Sequence, residues 1–174
     1  MNAQTKSSPF WRFSLRFYRE PKVADACIAL QEEAGIDVNL LLFLLWHATH
    51  AQALTAAEVA SLEGRIGAWR EMTVVPLRAL RRALKAPPAL VEAGTAELFR
   101  SKIKSVELEA ERLQQEAMYD LARETLLGRP ASSPEDAARG NVAAYAANAA
   151  KPLPKPVVET LLAAFVMLER KPQE

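Results

Sequence analysis

With 174 residues, half of them hydrophobic and a quarter charged, the chain has the composition of one globular unit and not of a disordered segment. Lys and Arg total 22 against 21 Asp and Glu, a formal charge of +1, so no global field draws the protein to nucleic acid or to an anionic membrane. The single cysteine, Cys27, excludes an intramolecular disulfide and a cysteine-only metal cage.

The opening MNAQTKSSPF holds no apolar signal segment. The most apolar run, LLLFLLW at residues 40–46, reaches only about a dozen residues with its flanks, where a membrane span needs about 20. A cytoplasmic protein without a membrane span is expected.

The 11 prolines fall at the edges of periodic segments. Proline is tolerated in the first turn of a helix and breaks its interior, so the chain reads as helices separated by proline joints. Ser8-Pro9 opens the first helix, which runs to about residue 19. Phe10, Phe13 and Phe17 share one of its faces, Trp11, Leu15 and Tyr18 form an adjoining strip, and Arg12, Arg16 and Arg19 take the remainder. A second helix spans residues 21–34, with Val23, Cys27, Leu30 and Ala34 inward and Gly35 as a left-handed stop. Asp37 caps a third, which carries the LLLFLLW run to about residue 53.

Thr55 and Glu58 have the spacing of a capping box and open a helix to about residue 72. Val74-Val75-Pro76 reads as a reset, and a fifth helix covers residues 76–85 before Pro87-Pro88. Ile103, Val106, Ala110, Leu113, Ala117 and Leu121 step by three and four, which predicts an apolar seam on one long helix over residues 96–127. Ser133-Pro134-Glu135-Asp136 opens an alanine-rich helix, KPLPKP at residues 151–156 reads as an extended spacer, and a last helix covers residues 157–170. No alternating strand pattern exceeds a few residues. The expected fold class is all-α, an irregular multi-helix bundle of six to eight helices packed around a buried central helix. Residues 1–128 are expected to form a helical core domain, and residues 129–174 an Ala/Pro-rich C-terminal segment with one or two further helices.

Within residues 10–47, the stretches FWRFSLRFY, VADACIALQ and GIDVNLLLFLLW resemble the N-terminal signature of an uncharacterised proteobacterial family of small helical proteins, a domain of unknown function. The similarity continues more weakly to about residue 127. The resemblance implies a cytoplasmic bacterial helical protein and supplies no activity, cofactor or catalytic residue.

Residues that carry chemistry are sparse. His47 and His50 share one helical face, but a catalytic zinc takes a third protein ligand, and neither HExxH nor the Glu-x-x-His of di-iron bundles occurs. No metal or cofactor is assigned. The six glycines are isolated, which excludes a glycine-rich phosphate loop, and there is no GxSxG elbow. Cys27, on the apolar side of its helix, reads as a buried inert thiol. No catalytic residue is assigned.

Two surface features remain. Arg70, Arg78, Arg81 and Arg82 form a basic patch, which the acids of the long helix, Glu107 and Glu111 among them, can neutralise, or which can hold a partner or phosphate. Phe10, Trp11, Arg12, Arg16, Tyr18 and Arg19 form a candidate interaction face, because aromatics and arginine dominate protein interfaces; core packing explains the same residues, and nucleic acid is the weaker alternative. The expected function is a non-enzymatic interaction or accessory protein with a protein partner or a second copy. The alternative is a small-ligand binding protein or enzyme with a pocket near Trp46, His47 and His50 for an apolar or isoprenoid-like ligand. An enclosed cavity beside His47 favours the alternative, and a solid core with an exposed aromatic patch favours the first.

Overall fold

In the computed structural model, which describes residues 7–171, local cap chemistry sets the helix starts. In α1 (Pro9–Tyr18) the Ser8 hydroxyl accepts from the Trp11 amide. α2 (Val23–Ala34) ends at Gly35, whose φ of 71° is left-handed. In α3 (Val38–Thr49) the Asp37 carboxylate accepts from the Asn39 amide, and α4 (Ala56–Trp69) opens with both halves of the Thr55–Glu58 capping box. α5 (Val75–Ala83) is followed by α6 (Ala93–Glu124), where Glu92 takes the amides of Gly94 and Thr95. Ser133 caps α7 (Pro134–Asn148), and α8 (Lys155–Glu169) completes an all-α bundle. The last two residues of KPLPKP form the first turn of α8, not a spacer, because proline is at home there.

Val74-Val75-Pro76 does not reset the chain. α4 runs through a π-helical turn, Arg70–Val74, directly into α5. Pro76 has no N–H, and its ring clashes with the carbonyl four residues back. The widened turn, in which the Val75 amide donates to the Arg70 carbonyl, accommodates that clash without ending the helix.

α3 is the central rod. Leu40 through Leu45 and Ala48 are all buried, as expected of a helix that is hydrophobic all round. Phe10, Phe13 and Phe17 of α1, Leu30 of α2, Leu62 of α4, Met118 of α6, Tyr145 of α7 and Phe165 of α8 pack in the same core. That core therefore continues past residue 128 into α7 and α8. A two-residue antiparallel bridge, β1 (Gln52–Ala53) with β2 (Arg129–Pro130), ties the chain before α7 to the end of α3. Gly128 is required beside it: its φ is +79°, and a Cβ there would lie 3.0 Å from the Ala53 carbonyl oxygen.

The seam expected on α6 is not the face it buries. Val106 and Leu113 are 52% and 43% exposed, whereas Ala96, Glu107, Ala110, Gln114, Gln115 and Met118 are buried. At 100° per residue the buried face is turned by about 70° from the apolar seam. Polar pairing decides the rotation. Glu107 accepts from Arg78 and Arg81 of α5, Gln114 Nε2 donates to Asp37 Oδ2 at 2.6 Å, and Gln115 Nε2 donates to Asn39 Oδ1 at 2.8 Å. Turning the apolar seam inward would leave those buried groups without partners, and each such orphan costs about 1–3 kcal/mol.

Candidate binding cleft

A cleft of about 870 Å³ lies between α1, α2, α5 and α6. Ligand pockets have volumes of about 300–1,000 Å³. Two helical strips explain how α1 serves both core and cleft. Phe10, Phe13 and Phe17 enter the core, and the neighbouring strip Trp11, Leu15 and Tyr18 faces the cleft with Arg19. Ile28, Gln31 and Glu32 come from α2, Leu42 from α3, and Lys104, Leu108 and Glu111 from α6. Arg78, Arg81 and Arg82 of α5 form the opposite wall, with Lys85 beyond them.

The candidate face on α1 is thereby divided. Phe10 is not on a surface: it is 0% exposed and packs against the rings of Phe43 at 5.3 Å and Trp46 at 5.6 Å. A ring on the core-directed strip gains more from burial than an interface position offers. Arg12 and Arg16 are exposed and do not line the cleft, and Arg12 Nη1 donates to the Ser7 carbonyl at 2.6 Å. Trp11, Tyr18 and Arg19 remain as cleft residues. The basic patch divides too. Arg70, in the π-helical turn, pairs with Glu71 and lies 3.6 Å from Asp37 Oδ2, apart from the cleft.

Ion pairs fix the α5 wall. Arg78 Nε donates to Glu107 at 3.1 Å and its Nη2 to Glu111 at 2.7 Å, Arg81 clasps Glu107, and Arg82 Nη2 donates to Glu32 at 2.8 Å. Burial pushes the Glu107 carboxyl up, but Arg81 and Arg78 outweigh it and hold the group below its usual range. For Glu111 burial wins over Arg78, and its pKa is raised. Six cations against three carboxylates line the cleft, an excess of positive charge. Arg19, Lys85 and Lys104 make no ion pair among the described residues.

Beneath the cleft lies a polar chain that sequence reasoning missed. Gln115 bonds Asn39, Asn39 Nδ2 donates to Gln114 Oε1 at 3.3 Å, Gln114 bonds Asp37, and the Asp37 amide donates to the Tyr145 hydroxyl at 2.8 Å. Ser14 Oγ and Gln115 Oε1, both from cleft-lining residues, are buried without a hydrogen-bond partner. The available signals were polar residues inside apolar patterns: Ser14 between phenylalanines, Asn39 at the start of the leucine run, and Gln114 and Gln115, four and three residues before Met118.

The recess near Trp46, His47 and His50 is a separate feature. It measures about 270 Å³, opens to solvent, and is closed off on one side by Arg123 near the end of α6 and Leu127 in the segment after it. His47 and His50 each meet the edge or face of Trp46 at 5.2 Å. Burial, with the nearby His50 adding to it, pushes His47 down to about 4, and its Nε2 is buried without a partner. His47 is therefore neutral in the folded state while the unfolded chain takes up a proton below about pH 6.5. The depressed pKa makes its contribution present above pH 6.5 and progressively lost as pH falls toward 4. Acid is expected to remove up to about 3 kcal/mol of stability over that window. Urea denaturation at a series of pH values tests this: His47→Leu should flatten the acid slope, and an unchanged slope counts against it. Burial also pushes the Cys27 thiol up to about 12, which keeps it protonated and unreactive.

Fold and cleft together define an all-helical protein with an amphipathic, cation-rimmed groove. Residues 9–118 match the family described as "Protein of unknown function (DUF2390)", and the chain belongs to that family. No curated protein and no solved structure matches it. The matched stretch contains every residue that lines the cleft, whereas the recess beside His47 extends past its end. No helix among the described residues is long and apolar enough to cross a membrane.

Proposed function

We propose that the protein is a non-enzymatic interaction protein whose cleft receives an acidic segment of a protein partner with one apolar face. One observation carries this. The aromatic strip of α1 and the basic side chains of α5, far apart in sequence, line the same cleft. Trp11, Leu15, Tyr18, Ile28 and Leu108 offer apolar contact, and Arg19, Lys85 and Lys104 offer charges not spent on internal pairs. Trp, Tyr and Arg are the residue types that concentrate binding energy at interfaces. A groove between helices suits an amphipathic helix anchored every three or four residues, and the positive excess speeds encounter with an acidic one.

The probe is a synthetic helix with leucines on one face and glutamates on the other, with its lysine counterpart as control. Calorimetric titration is expected to show binding of the acidic peptide only. The double variant Arg19→Glu/Lys85→Glu spares the internal pairs of Arg78 and Arg81 and is expected to weaken binding by about tenfold or more. Equal binding of both peptides, or no effect of the variant, would refute the proposal. Binding of decanoate in preference to the peptide would turn the assignment to the small-ligand alternative.

A further inference from the structure

The rotation that buries Glu107 leaves an apolar stripe of α6 in water. Phe99, Val106 and Leu113 are 50%, 52% and 43% exposed. They recur every seven residues, the spacing that keeps one line of side chains facing a partner helix. Leu108, in the cleft, is nine residues from Phe99, which is about half a turn around the helix axis, so the stripe and the cleft lie on opposite sides of α6.

We propose that this stripe is the contact between two copies of the chain, paired antiparallel about Val106. The charges beside the stripe select both occupant and direction. Lys102, four residues before Val106, and Glu109, three residues after it, are exposed on the same flank. In an antiparallel pair, Lys102 of each copy faces Glu109 of the other, and Phe99 faces Leu113. In a parallel pair lysine would face lysine and glutamate would face glutamate. Lys102 makes no internal ion pair among the described residues, and Glu109 is held only by the half-buried Arg112 one turn away. The pairing is isologous and closes at two copies. It leaves both clefts open and pointing outward, so it stands independently of what the cleft binds. A single helix stripe makes a small interface, so the expected dissociation constant is micromolar.

Sedimentation of the full chain over a concentration series is expected to show a monomer–dimer equilibrium. Val106→Asp, which sets two carboxylates against each other on the axis, should leave monomer with an unchanged helical circular dichroism spectrum. Lys102→Glu should weaken the dimer, and Lys102→Glu/Glu109→Lys should restore it. Since Cys27 is buried, introduced cysteines report the direction: under mild oxidation, Phe99→Cys should cross-link to Leu113→Cys and neither should cross-link to itself. Monomer at every concentration, a dimer indifferent to Val106→Asp, or self-cross-linking of Phe99→Cys would overturn the proposal.

Discussion

Asn141→Leu is expected to destabilise the protein by about 3–5 kcal/mol, because each buried backbone group left unpaired costs about 1–3 kcal/mol. Asn141 is fully buried on α7, the helix that lies along α3. Its Oδ1 accepts from the Leu54 amide at 2.6 Å, and its Nδ2 donates to the carbonyls of Leu44 at 2.8 Å and Gln52 at 3.0 Å. One side chain thus reaches a carbonyl of α3, which it shares with the helix, and two backbone groups of the bridge segment after it, which lie outside any helix. Leucine matches the volume and removes all three bonds. Asn141→Asp keeps the acceptor for Leu54 but sets a carboxylate against two carbonyl oxygens, so it should fare no better. Urea denaturation gives the result directly: a lower midpoint with an unchanged slope is expected. A loss under about 1 kcal/mol would mean that the segment beyond residue 128 is not tied to the core through this residue.

Phe43→Ala is expected to cost a similar amount, about 3–5 kcal/mol, by a different mechanism. Its ring is 0% exposed in the middle of α3 and meets Phe10 at 5.3 Å, His47 at 4.7 Å and Trp46 at 5.9 Å. Truncation removes buried apolar surface and leaves a cavity bounded by three rigid rings that cannot close over it. Phe43→Leu retains most of the volume and should cost less than about 2 kcal/mol. Leu126→Ala provides the contrast: Leu126 is 95% exposed, and its removal should change stability by less than about 0.5 kcal/mol. The same denaturation series ranks the three variants, and a Phe43→Ala midpoint near that of Leu126→Ala would contradict the central position of α3.

Helix starts were legible because caps are local chemistry: Ser8, Asp37, Thr55 with Glu58, and Ser133 each satisfy amides within three residues. The leucine run was legible because a helix apolar on every side has no solvent face to offer. The orientation of α6 was not, since counting apolar letters ignores where polar groups find partners. Glu107 is answered by Arg78, 29 residues away, and Gln114 by Asp37, 77 residues away. Pro76 misled in the same way, as its clash can be absorbed by a π-helical turn as well as by a break.

The cleft was half legible. Trp11, Tyr18, Arg19, Arg78, Arg81 and Arg82 could be singled out by residue type, but only tertiary packing places the α1 strip opposite α5. Phe10 differs from Trp11 by one position along the helix, about 100° in direction, which is enough to send one ring into the core and the other to the cleft. Ser14 and Gln115 carry no sequence signature of a site beyond interrupting an apolar pattern.

Amide chemical-shift mapping of the full chain during titration with the leucine–glutamate peptide shows whether both walls of the cleft receive it. Trp11, Leu15 and Tyr18 on α1 are expected to shift together with Arg82 at the end of α5 and Lys85 just beyond it, while Trp46 and His50 stay in place. Shifts confined to the Trp46–His50 recess, or to one wall of the cleft alone, would contradict the proposed binding at the cleft.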